Sequence, residues 1–294
     1  MKLGLAHSTM FEADGSIADP VAVARHVEDL GLDSLWVSDH LAWGTPILDS
    51  VVTLAAASAA TGRIEVGFAV LQLALRRVSW IAKQIGSLQL VSGGRLQLGV
   101  GVGGHPAEEW AAAGVDLGDR GRRTDEALDV LPALLSGEPT RLPDVDASVA
   151  LRPAAPMPPL WIGGDSPAAL KRVARTGAGW LPAAVTPGQV AVGRQAVEDL
   201  TGTRPPTTVS VFATLNAHRG GMTREALVDL CATGFGFPRE HADAVVVGGK
   251  PEEVADALRR YADLGVGQVV VVPFGSGWAE QCELLAEAGS VLTS

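Results

Sequence analysis

The sequence is poor in the residues that would assign it to several large protein classes. Two cysteines, Cys231 and Cys282, in 294 residues are too few for a disulfide framework or a thiolate metal cluster and suit a reducing compartment; both are read as core thiols. Charged residues make up only 19% against 47% hydrophobic, which excludes a disordered chain. Positive charge is the scarcer sign, with 23 Lys plus Arg against 33 Asp plus Glu and a formal net charge of −10. That balance offers no broad surface to nucleic acid or an anionic membrane, so an anionic ligand must meet a local site. No charge-free apolar run reaches bilayer-spanning length, and MKLGLAHSTMFEADG turns polar too soon for a signal peptide. The expectation is a cytoplasmic protein with a small-molecule substrate, no bound metal, and neither nucleic acid nor membrane as partner.

What is present is an alternation. Short apolar runs at 3–6, 34–38, 64–71, 96–102, 160–162, 179–182, 208–213 and 268–273 alternate with stretches of helical period at 21–30, 50–60, 79–90, 167–175, 187–200, 224–232 and 251–264. A polar helix pair extends to Leu135. Asp19 with Pro20 reads as a helix start and Gly31 as a stop. The strands are continuous apolar runs, as in parallel sheets covered on both faces, and each connection is long enough for a parallel crossover. Eight units of about 37 residues in 294 fit one closed (βα)8, or TIM, barrel domain over residues 1–294, with an open doubly wound sheet as the alternative. Six prolines between Glu138 and Pro159 mark an insertion after the fourth strand, with room for a short edge hairpin.

In such a barrel, chemistry sits at the C-terminal strand ends. The first strand ends at His7 and Ser8, the second at Ser38, Asp39 and His40, the third at Leu71 and Gln72, and the fourth at Gly101 to His105. His40 is the acid or donor candidate; the structural alternative is a helix N-cap by Asp39 with a half-buried histidine beside it. His26 and His241 read as surface residues. Gly99, Gly101 and Gly104 fit G-x-G-x-x-G, but no strand follows soon enough for a dinucleotide fold. Glycines there would instead let a flat ring approach the backbone. Gly163, Gly164 and Ser166 open a helix and form a candidate phosphate site, against which a plain N-cap by Asp165 or Ser166 competes. Arg76 with Arg77, and Arg120 with Arg122 and Arg123, could meet an anionic tail or form solvated faces. The loops at 42–49, 104–118 and 217–242 are apolar and glycine-rich, pointing to a neutral or apolar substrate.

SLWVSDH at 34–40, LRRVSWIAKQIGSLQLVSGGRLQLGVGVGG at 75–104, RGRRTDEALDVLPALLSGE at 120–138, PPLWIGGDSPAALKRVARTGAGWLP at 158–182 and KPEEVADALRRYADLGVGQVVVVP at 250–273 together resemble the bacterial luciferase-like family of flavin and deazaflavin oxidoreductases. The resemblance implies an eight-fold βα barrel and a tricyclic cofactor ring in its mouth. It also implies a non-proline cis peptide near Val70 and Leu71, and a phosphate held at Gly163, Gly164 and Ser166. Cofactor contacts are accordingly expected from His7, Val70, Leu71, Gly101, Val102, Gly103 and Gly104 as well. Members using coenzyme F420 commonly carry an Asp-His pair like Asp39 and His40, with a nearby Trp such as Trp43, and these three are the expected catalytic group. The resemblance implies F420-dependent hydride transfer to or from a small organic molecule. The alternatives it leaves are an FMN-dependent monooxygenase supplied by a separate reductase, and a non-catalytic flavin-binding relative. It also implies a homodimer through the second and third helices. Sugar-phosphate dehydrogenases of the family place a catalytic glutamate in the loop after the fourth strand, where this chain has Gly103, Gly104 and His105.

Overall fold

Eight apolar segments pair as parallel neighbours. In a computed structural model, which describes residues 1–7, 16–44 and 46–293, they are β1 (Lys2–His7), β2 (Ser34–Val37), β3 (Glu65–Phe68), β4 (Leu96–Gly101), β5 (Leu160–Gly163), β6 (Gly179–Leu181), β7 (Thr208–Thr214) and β8 (Gln268–Pro273). Ser8, expected at the end of the first strand, lies outside the described residues. The strands run in the order β7, β8, β1, β2, β3, β4, β5, β6, and the two ends of that path meet. Trp180 N donates to Pro206 O at 2.8 Å, Ser210 N to Pro182 O at 2.9 Å and Ala184 N to Ser210 O at 3.0 Å. These bonds close the sheet into the expected barrel and exclude the open alternative.

The crossovers carry α1 (Pro20–Asp29), α2 (Ser50–Ala60), α3 (Val78–Val91), α4 (Ala107–Ala112), α5 (Arg120–Ser136), α6 (Pro167–Thr176), α7 (Pro187–Thr201), α8 (Arg224–Thr233), α9 (Arg239–Val245), α10 (Pro251–Ala262) and α11 (Trp278–Thr293). Their starts follow local chemistry. Asp19 accepts from Val21 N ahead of Pro20, Asp49 from Val52 N, and Thr186 forms a capping box with Gln189. The proline-rich insertion holds the hairpin Thr140–Arg141 with Ser148–Val149. Neither α9, the added strand Val247–Gly248 on β7, nor α11 was expected from the sequence. Cys231 and Cys282 are free and buried. Among the described residues no helix is long and apolar enough to cross a membrane.

Two packing features shape the mouth. Inside the barrel, Trp36 fills the space beside Gly67, where a Cβ would stand 2.5 Å from the indole. Between β3 and the short segment Leu71–Gln72, the pairing with β4 slips by one residue, from Val66 opposite Leu96 to Leu71 opposite Val100, as in a β-bulge. The cis peptide lies in this slip, joining Ala69 to Val70, at the end of the third strand where the resemblance implied one.

Candidate active site

A cavity of about 680 Å³ opens at the C-terminal strand ends. One side is formed by His7 at the end of β1, Ser38, His40 and Trp43 after β2, and Ala69 beside the bulge. The other is formed by Phe212 of β7, Phe274 after β8, and Met222 and Phe235 from the chain between them. The pattern of strand ends therefore identified His7, Ser38 and His40; Phe212, Met222 and Phe235 were missed because they come from separate elements.

His40 is held from behind. Its Nδ1 lies 3.4 Å from Glu109 Oε1, and its ring leans on Trp43 with centroids 4.3 Å apart. Glu109, on α4, is fully buried; its Oε2 accepts from Leu41 N at 2.7 Å and Ala42 N at 3.5 Å, and its Oε1 accepts from Gln72 Nε2 at 3.2 Å. Gln72 Nε2 also donates to Asp39 O at 2.6 Å and stands 3.4 Å from His40 Nδ1; with its two protons directed at Asp39 O and Glu109 Oε1, it has none left for the imidazole. A carboxylate facing Nδ1 favours the tautomer with the proton there, leaving Nε2 of His40 as the ring nitrogen available to a ligand. Glu109 was not found from the sequence: it follows β4 and reaches His40, which corrects the expectation that Gly103, Gly104 and His105 stand in place of a glutamate in this connection. The only signal was its neighbour Trp110, a large aromatic in a polar stretch, which is also buried.

Asp39 stands apart from the cavity. It is buried and takes Arg76 in a two-point grip at 2.7 Å on each oxygen, with Ser50 Oγ donating at 2.6 Å and Gln72 N at 3.0 Å. Burial pulls the Arg76 guanidinium down, but the bonds and charge of Asp39 outweigh it and leave the group raised. Asp39 thus anchors the loop that carries His40, and neither contacts the cavity nor caps a helix. Arg76 is correspondingly unavailable to an anionic tail. Arg122 pairs with Asp119 and Glu126, and Arg123 donates to Ala74 O, so these also have protein partners.

The remaining expected cofactor residues separate. His7 lines the cavity; its Nε2 is buried with no hydrogen-bond partner among the described residues, and burial pushes the imidazole down to about 4, so it is neutral at pH 7. Leu71 is fully buried in the main core. Val70 packs its methyls where a Cβ on Gly101 would stand, 2.2 Å away, and where one on Gly163 would stand, 2.8 Å away. Those glycines make room for Val70, which corrects the expectation that the space over Gly101 is open to a ring. Val102, Gly103 and Gly104 follow β4 outside the cavity lining, and Gly103, at φ +65°, sits against Gln72. Gly164, at φ +93°, and Ser166 are exposed at the start of α6, where Ser166 accepts from Ala169 N at 3.2 Å; the N-cap reading of Ser166 holds. His26 and His241 are half-buried rather than on the surface: His26 meets Ala279 O at 3.4 Å and His241 meets Ala184 O at 3.1 Å.

Residues 1–220 match the family described as luciferase-like monooxygenase. The chain is 35% identical over 175 residues to 4-hydroxyprotoasukamycin monooxygenase of Streptomyces nodosus subsp. asukaensis, covering 56% of this chain and 47% of that protein. It is 31% identical over 176 residues to F420-dependent glucose-6-phosphate dehydrogenase of Amycolatopsis mediterranei, covering 55% and 52%. The chain thus spans about half the length of each of these curated relatives. A solved F420-dependent secondary alcohol dehydrogenase, in complex with an F420-acetone adduct, superposes with a TM-score of 0.82 over 99% of this chain and 98% of that one, at 16% identity. That likeness establishes the fold.

Proposed function

The chain belongs to the luciferase-like monooxygenase family, and from that premise we propose that it is a coenzyme F420-dependent oxidoreductase moving a hydride between the deazaflavin and a small organic substrate. The observation that carries this reading is the His40–Glu109 pair at a cavity wall. Interconverting an alcohol and a carbonyl requires a proton at the substrate oxygen as well as a hydride at carbon, and a cavity-facing imidazole backed by a buried carboxylate supplies that proton.

The residues present fit the cofactor on two counts. A buried, unpartnered His7 Nε2 borders the cavity, and α6 begins at the strand ends with Gly164 at positive φ, where helix N–H groups favour a phosphate without any net positive charge. In this reading the backbone N–H groups of Gly163, Gly164 and Ser166 hold the phosphate while the Ser166 hydroxyl keeps its cap on Ala169 N, and His7 meets the ring system. When bound, the deazaflavin supplies the carbon that gives or accepts a hydride. His40 Nε2 gives or takes the proton of the substrate oxygen, Glu109 holds Nδ1 and stabilises the charged imidazolium, and Trp43 fixes the ring plane.

A second reading, an FMN-dependent monooxygenase receiving reduced flavin from a separate reductase, draws on the monooxygenase relative and the largely apolar cavity. Turnover of a panel of secondary alcohols with oxidised F420 under argon tests the first reading. Reduction of F420 that follows alcohol consumption supports it; product formed only with reduced FMN and dioxygen would sink it.

A further inference from the structure

The substrate's chemical class can be read from the aromatic part of the lining of the cavity that also holds His40. Phe212, Phe235 and Phe274 form a triangle of rings with centroid separations of 5.2 Å for Phe212–Phe274, 6.0 Å for Phe212–Phe235 and 6.1 Å for Phe235–Phe274. They belong to three separate elements, β7, the link between α8 and α9, and the chain after β8. Met222 lines the same cavity and, like Phe212 and Phe274, packs on the buried cluster of Leu227, Val228 and Cys231. Phe235 remains 40% exposed while lining the cavity, so its side chain is accessible to a ligand there. No Asp, Glu, Lys or Arg is among the described residues lining the cavity. His7 is neutral because of its burial, and the hydrogen-bonding side chains among the described lining residues are His7, Ser38, His40, Trp43, Ser210 and Ser276.

An anionic substrate here would give up hydration with no cation opposite it, a cost of several kcal/mol. A flat or ring-shaped apolar body would instead gain burial and ring-edge contacts against the phenylalanines. We propose that Phe212, Phe235 and Phe274, with Met222, hold the apolar body of a neutral, ring-bearing substrate and turn its oxygen toward His40. This assignment rests on the reading of His40 as the proton-handling group. It makes Phe235, the most exposed of the three, a specificity-determining residue, and it separates this protein from enzymes acting on sugar phosphates.

The test is isothermal titration of 2-acetonaphthone, of its anionic counterpart 2-naphthoate, and of glucose 6-phosphate into the protein, both free of F420 and saturated with it. The ketone is expected to bind at least about tenfold more tightly than the carboxylate, with glucose 6-phosphate weaker still. Phe235→Ala should weaken the ketone about tenfold, whereas Phe235→Tyr, which keeps the ring, should stay within about twofold. F420 affinity should be unchanged in both variants. Equal affinity for ketone and carboxylate overturns the proposal, as does parental ketone binding by a Phe235→Ala protein that melts like the parent. If F420 itself does not bind, the cofactor reading fails while the cofactor-free titration still decides the role of the aromatic wall.

Discussion

Glu109 and His40 meet, Oε1 to Nδ1, at 3.4 Å across 69 residues of chain. One comes from the short helix after β4 and the other from the loop after β2, and only barrel closure around β3 brings them together. The same carboxylate accepts from Leu41 N, so the group that orients the imidazole also fixes the backbone beside it.

Replacing Glu109 by Gln should therefore preserve the loop and impair the chemistry. The amide oxygen can still accept from Leu41 N, but it cannot stabilise an imidazolium. With the best substrate of the panel, kcat should fall by about 10²-fold, within the range of lost acid–base catalysis, and the limb of the pH–rate profile should move. F420 affinity, measured by fluorescence quenching, should stay within about twofold.

Asp39 predicts the opposite pattern. Removing it as Asp39→Ala leaves the Arg76 guanidinium, with a side chain 21% exposed, without its partner. Breaking such a buried pair costs about 3–5 kcal/mol. Urea unfolding should show that loss, while the remaining folded protein keeps a larger fraction of kcat than Glu109→Gln does.

The glycine at 163 is set by Val70. A Cβ there would stand 2.8 Å from Val70 Cγ1, so Gly163→Ala should destabilise by about 1–3 kcal/mol through overpacking. Adding Val70→Ala removes that methyl, and the double variant should recover most of the loss in thermal unfolding. Failure to recover would mean that Gly163 serves something other than this contact.

His7 gives stability a pH dependence of definite sign. Burial holds it at about 4 in the folded protein, down from 6.5, so between those values the unfolded chain binds a proton that the folded chain refuses. Above pH 6.5 the residue contributes nothing to the slope; as pH falls toward 4, stability drops by about 3 kcal/mol and then levels off. The difference between parent and His7→Gln unfolding free energies should trace that curve. A difference that is flat with pH would contradict it.

The barrel was legible in the sequence because its strands are buried on both faces and appear as uninterrupted apolar runs, and because residues such as Asp19, Pro20 and Gly31 punctuate the helices. Of the site, His7 and His40 were legible as strand-end residues and Trp43 through the family resemblance, and all three line the cavity. Glu109 was not, because a carboxylate in AEEWAA reads as solvated until the tertiary fold buries it. Asp39 had the right position but the opposite orientation, as neighbours at a strand end point to different faces. Gly101 signalled a close approach correctly, but the approaching group is the Val70 side chain, which no local pattern reveals; Gly163, read as part of a phosphate site, meets the same side chain. The aromatic wall likewise exists only after β7, β8 and the α8–α9 link converge.

Titration of the cofactor-free protein with F420 and, in parallel, with FMN most directly tests the proposed function, followed by quenching of cofactor fluorescence. Tight, saturable F420 binding with FMN at least about tenfold weaker is the predicted result. Preference for FMN, or binding of neither, would contradict it.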